Sequence, residues 1–215
     1  MSANAPDALL FITTGCPHCP VVMQALSELL KQAEIGKLTV VNVAAHPELA
    51  EEYGVRTAPW LRLGPFTLTG AHTPAELRLW TEWSKGEEGV AHYVEHLLKE
   101  GGYKQARQFI ADDTHRLKPL LAIVADPEKS IEVRVGVDAL LESYGNTQPL
   151  QDLIPDLAAL TVHQDHRVRA DACNLLGLSG SQAARPYIEK CVTDEYEEVR
   201  VIATESLELI DLAQL

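Results

Sequence analysis

Gly15-Cys16-Pro17-His18-Cys19-Pro20 is the stretch on which the reading of this chain turns. Ahead of it, Ala8-Leu9-Leu10-Phe11-Ile12-Thr13 is short, apolar and ended by Thr14-Gly15, the pattern of a buried strand running into a turn. Behind it, Val22, Leu26, Leu29 and Leu30 recur at helical spacing, with Gln24, Glu28 and Lys31 on the other side. The two thiols therefore fall at the first turn of a helix that leaves a strand. Pro17 is expected at the first helical position, where its missing N–H is one the helix could not have used. Cys16 then faces amide donors that have no helical partner, and these, with the helix dipole, stabilise an anion. Its thiol is expected to ionise more easily than a free cysteine, whose pKa is about 8.5. Cys19, one turn further in, is placed to attack a mixed disulfide on Cys16, and a protonated His18 between them favours the thiolate.

Composition bounds the partners. The chain has 215 residues, room for two ordinary domains, and 18 basic against 31 acidic residues leave a net charge of -13. Such acidity argues against nucleic acid and against an anionic membrane surface. No apolar run is long enough for a membrane span, and Met1-Ser2-Ala3-Asn4-Ala5-Pro6-Asp7 lacks the basic start and apolar stretch of a secretion signal, so a cytoplasmic protein is expected. Four cysteines do not make a disulfide framework, which leaves the Cys-x-x-Cys pair as catalytic or metal-binding.

Along the chain, Lys37–Val43 reads as a second strand, parallel to the first, and Pro47–Tyr53 as a short helix stopped by Gly54. Val55–Leu63 reads as a strand entered through Pro59, Gly64-Pro65 as a turn and Phe66–Thr69 as the return strand of a hairpin. Thr73-Pro74-Ala75-Glu76 is a capping box opening a helix to about Ser84.

This order, with Cys-x-x-Cys after the first strand and a proline opening the third, resembles the thioredoxin superfamily over residues 5–85, and most of all its compact glutaredoxin-like and protein disulfide oxidoreductase members. The resemblance implies a redox-active Cys16–Cys19 disulfide with no other cofactor and no metal. It implies that Cys16 is the nucleophile and that Pro59 is cis and faces the thiols. Ala58, just before it, pairs by its backbone with an extended substrate chain, a form of strand addition. Pro17, Thr57 and Trp60 complete the expected substrate contacts. Two positions depart from thioredoxins: the buried acid of the first strand is Leu10 here, and the aromatic residue before the first cysteine is Gly15. Nothing obvious then takes the proton of Cys19.

Residues 86–89, in the polar Ser84–Gly89 stretch, read as a linker, and 90–215 as an all-α domain. Up to Lys85 the chain holds 6 basic and 8 acidic residues, and beyond it 12 and 23, so nearly all the excess acid lies in the second part. That part repeats itself. Val133-Arg134, Val168-Arg169 and Val199-Arg200 stand 35 and then 31 residues apart, each following an acidic turn and opening a helix. First helices are expected at about Leu117–Ala125, Leu150–Leu160 and Ala183–Val192, with a less regular helical pair over Val90–Asp113 in front. This resembles a solenoid of HEAT-type repeats, which bury their apolar faces only when stacked. The resemblance implies a protein-docking surface, and the acid excess a basic or non-acidic partner. The three arginines read as a ladder pairing with acids of neighbouring repeats.

The expected function is that of a thiol-disulfide oxidoreductase, with protein thiols or disulfides as substrates. The alternative is a repeat adaptor whose first domain only binds or senses redox state. Half of a zinc site remains open for the cysteine pair, although no second ligand pair lies nearby. His92 and His96, four apart on one helix, and His163 with His166 lack a third ligand in the sequence, and Cys173 with Cys191 read as buried thiols.

Overall fold

The computed structural model describes residues 5–213. Residues 1–4, part of the stretch read as lacking a secretion signal, and 214–215 lie outside it. The chain divides into two compact units, one ending at Tyr93 and the other beginning at Val94.

In the first unit, β1 (Asp7–Ile12), α1 (Cys19–Lys31), β2 (Lys37–Asn42), α2 (Pro47–Glu52), β3 (Trp60–Leu63), β4 (Phe66–Thr69) and α3 (Pro74–Trp83) follow in order. The sheet runs β2-β1-β3-β4, with β1 parallel to β2 and antiparallel to β3, and Phe11 lies opposite Trp60. Alternation along β1 sends Phe11 and Leu9 to the face covered by α2, where Phe11, Val41, Ala50 and Trp60 form one apolar cluster. Leu10 points to the opposite face and is fully buried.

Local chemistry explains the ends of these elements. Gly54 takes φ +64°, and the bonds Gly54 N–H to Glu51 O and Val55 N–H to Ala50 O close α2 with a Schellman motif. The capping box of α3 is complete, with Thr73 and Glu76 each accepting the other's backbone N–H. The strand expected over Val55–Leu63 shrinks to β3, because Pro59 has no N–H to give a ladder.

The expected linker at 86–89 also gives way, since Glu88 and Gly89 already belong to α4 (Glu88–Lys99). Gly89 crosses the end of α3 so closely that a Cβ there would lie 1.9 Å from the carbonyl oxygen of Trp83, which is why this residue has no side chain. One turn on, the Tyr93 hydroxyl donates to Thr67 O at 2.9 Å and accepts from Thr67 N–H at 3.0 Å. A side chain thus satisfies both backbone groups of Thr67 at the sheet edge formed by β4, closing that point to a further strand.

The second unit is helical. It holds the remainder of α4, then α5 (Tyr103–Ala111), α6 (Leu117–Val124), α7 (Ile131–Glu142), α8 (Gln148–Gln151), α9 (Ile154–Leu160), α10 (His166–Leu178), α11 (Arg185–Cys191) and α12 (Glu197–Leu212). The second helices α7, α10 and α12 bury Val133, Val168 and Val199 completely. The helix expected over Leu150–Leu160 is broken into α8 and α9, because the ring of Pro155 excludes a bond to the carbonyl four residues earlier. Glycine permits close helix packing at two points: a Cβ on Gly136 would lie 2.6 Å from a Leu98 methyl, and one on Gly177 2.6 Å from the Ser206 Cβ.

Two rungs of the arginine ladder are ion pairs. Arg134 binds Asp171 of the next repeat, and Arg169 grips Asp194 with two hydrogen bonds of 2.7 and 2.8 Å. Arg169 and Arg200 share a second habit: each donates to the carbonyls six and five residues earlier, His163 and Gln164 in one case, Asp194 and Glu195 in the other. The arginine therefore closes the turn between its two helices. Among the described residues Arg200 makes no ion pair, where one was expected, and is held by these two carbonyl bonds.

Candidate active site

Cys16 and Cys19 are joined as a disulfide at the N-terminus of α1. The helix begins later than the spacing alone indicates. Its first bond runs from Val22 N–H to His18 O, so His18 is the N-cap and Pro20, in place of Pro17, occupies the first turn. Gly15, at φ +81°, supplies the left-handed turn between β1 and the motif. Cys16 N–H donates back to Thr13 O across that turn.

The sulfurs differ in exposure. Cys16 is half-buried while Cys19 is 4% exposed, beneath an exposed Pro17 and His18. The Cys19 N–H donates to Cys16 Sγ at 3.1 Å. That amide and the helix dipole face the Cys16 sulfur, an arrangement that stabilises negative charge there. The peptide bond between Ala58 and Pro59 is cis, and Ala58 O lies 3.7 Å from Cys16 Sγ. Ala58 is half-buried and Thr57 exposed, whereas Pro59 is buried. Trp60 is 7% exposed and sits edge-on to Phe11 at 5.4 Å within the apolar cluster, so it supports the loop from below and does not line the surface. The first unit thus gathers Cys16, Cys19, Pro17, His18, Thr57, Ala58 and Pro59 at one place, with Trp60 underneath.

The remaining candidates disperse. His92 stacks on Trp83 at 4.2 Å, and His166 on Tyr196 at 4.2 Å. His163 Nδ1 accepts the Asp165 N–H. Cys173 and Cys191 are buried, unbridged thiols, and hydrogen bonding between them together with burial pushes Cys173 up, the opposite of an activated thiol. Among the described residues no three His, Cys, Asp or Glu side chains converge as a metal site. No described helix is long and apolar enough to cross a membrane.

One titratable group escaped the sequence reading. Burial first, and then the neighbouring Asp171, raise Asp138 on α7 from an ordinary 3.8 to about 6, against the opposing pull of Arg134. No motif marks it, since Asp171 is brought close only by stacking of the repeats. Because the folded value lies above the unfolded one, the native state holds the proton more tightly, and stability falls as pH rises from about 4 to about 6. Asp138→Asn is therefore expected to stabilise the second unit at pH 7.5 by on the order of 1 kcal/mol, allowing for the partial exposure of the group. The gain should vanish near pH 4. Thermal melts of both proteins across this range test it, and an unchanged or lowered midpoint at pH 7.5 contradicts it.

The family model described as a thioredoxin domain matches residues 9–82, and the one described as HEAT repeats matches residues 117–208. No curated protein matches the chain. Sheet order, helix-borne disulfide, cis proline and stacked helix pairs agree with both assignments. Residues 9–82 are thus a thioredoxin domain, followed by HEAT repeats over residues 117–208.

Proposed function

We propose that the protein is a thiol-disulfide oxidoreductase whose helical repeats hold a partner protein while the Cys16–Cys19 pair exchanges electrons with it. The observation that carries this reading is the asymmetry of the pair: Cys16 is partly exposed with the Cys19 amide nitrogen 3.1 Å from its sulfur, and Cys19 is buried behind it.

In the reducing direction, the Cys16 thiolate attacks one sulfur of a substrate disulfide, forming a mixed disulfide and expelling the other sulfur as a thiolate. Cys19 then loses its proton and attacks Cys16 Sγ. The Cys16–Cys19 bond forms, the second substrate sulfur leaves as a thiol, and two electrons have passed to the substrate. Leu10 is wholly buried and cannot take the Cys19 proton, so water or the departing substrate thiolate receives it. In the oxidising direction the same steps run backwards. Ala58 offers its backbone to the incoming chain beside Cys16. A partner tethered by the repeats meets the disulfide at raised effective concentration, so weak contacts at Cys16 suffice. The acid excess of the second part favours a basic partner. A reducing, cytoplasmic setting belongs to the same reading, because the two remaining cysteines are unbridged.

Insulin reduction in the presence of dithiothreitol tests it. The protein should raise the rate at least about tenfold over dithiothreitol alone, and equilibration with glutathione buffers should give a single two-electron transition. A protein that titrates reversibly but never turns over is an adaptor or sensor.

A further inference from the structure

Around Cys16 the exposed chain carries almost no charge. Gly15, Pro17, Pro20, Val21 and Thr57 are exposed and uncharged, and Val21 shows 52% of its surface. One permanent cation stands at the rim. Arg56 is exposed, immediately precedes Thr57-Ala58-Pro59, and among the described residues makes no ion pair or hydrogen bond. Glu51 and Glu52, exposed at the end of α2, leave it unpaired. Of the other Lys and Arg side chains of this unit, Lys31 pairs with Glu28, Arg78 with Glu34 and Lys85 with Glu82, Arg62 lies over the Tyr53 ring, and Lys37 stands opposite Asp7 at the end of the sheet away from the disulfide.

Arg56 is two residues from Ala58, whose carbonyl oxygen is 3.7 Å from Cys16 Sγ. Two residues span at most about 7 Å of chain. A substrate that lies along this loop with its cysteine at Cys16 brings a residue about two positions away within reach of the guanidinium. We propose that Arg56 selects substrates bearing an acidic residue two positions from the cysteine that reacts with Cys16, on the side of the substrate that runs towards Arg56.

This inference rests on the redox reading above and deepens it. Its selectivity is electrostatic at an exposed site, hence modest and sensitive to salt. The test uses the full chain and peptide disulfides that differ only in carrying Glu, Gly or Lys two residues before or after the cysteine. One of the two placements should react about tenfold faster with Glu than with Lys at low salt, and the ratio should narrow in 0.5 M sodium chloride. Arg56→Gln should bring the ratio close to one without altering the rate for the Gly peptide, and Arg56→Glu should invert it. An equal ratio in wild type and Arg56→Gln at both placements overturns the role of Arg56 alone. Failure of every peptide to react overturns the redox reading and this inference together.

Discussion

Cys16→Ser should lower insulin reduction to the rate of dithiothreitol alone, whereas Cys19→Ser should remain able to attack once and then stall as a mixed disulfide. The difference follows from placement. Cys16 is the sulfur a substrate can reach, and Cys19, at 4% exposure, is shielded by the first turn of its own helix. In the proposed mechanism, removing the first takes away the nucleophile, and removing the second takes away only the step that releases product. Intact-mass spectrometry after mixing Cys19→Ser with a peptide disulfide should show one adduct per chain, and alkylation of that variant against pH should place the Cys16 thiol below the free value of about 8.5. Adducts forming equally on both single-cysteine variants would remove the assigned order of attack, and full turnover by Cys16→Ser would remove the mechanism.

Arg169→Ala should be the most destabilising single change in the helical unit. The guanidinium and its partner Asp194 are almost enclosed, with side chains 9% and 11% exposed. Four hydrogen bonds hold the arginine, two to the carboxylate and two to carbonyls of the preceding turn. Truncation strands the Asp194 charge and two carbonyls together, a loss of about 3–5 kcal/mol. For a unit of this size that is roughly 10–20 °C of melting temperature. Arg169→Met combined with Asp194→Leu should recover a large part, because no buried charge is then left alone. Circular dichroism melts of the three variants check this. If the double variant melts no higher than Arg169→Ala, the penalty lies in the broken turn and owes little to the stranded charge.

Much of this architecture could be read from local pattern. The strand-turn-helix around Cys16, the capping box at Thr73 and the Val-Arg recurrence each depend on residues a few places apart, so their physics is written locally. What could not be read depends on distant partners. Pro17 looked like the start of α1 because a proline there suits a helix, but the Cys19 amide is committed to a sulfur and the helix opens one proline later. Trp60 looked like a surface contact from its place beside Pro59, and only the position of Phe11 across the sheet shows that it faces inward. Asp138 acquires its high proton affinity first from burial and then from a carboxylate 33 residues away, neither of which a local sequence window contains.

The Tyr93 hydroxyl has a practical corollary for anyone dissecting the chain. A fragment cut at Lys85, where composition changes, would discard the phenol that occupies both main-chain groups of Thr67 and would present a bare strand margin to its neighbours in solution. Retaining α4 through Lys99 keeps that margin sealed, so the excised thioredoxin domain should be prepared with a stretch of helix that composition alone assigns to the other half.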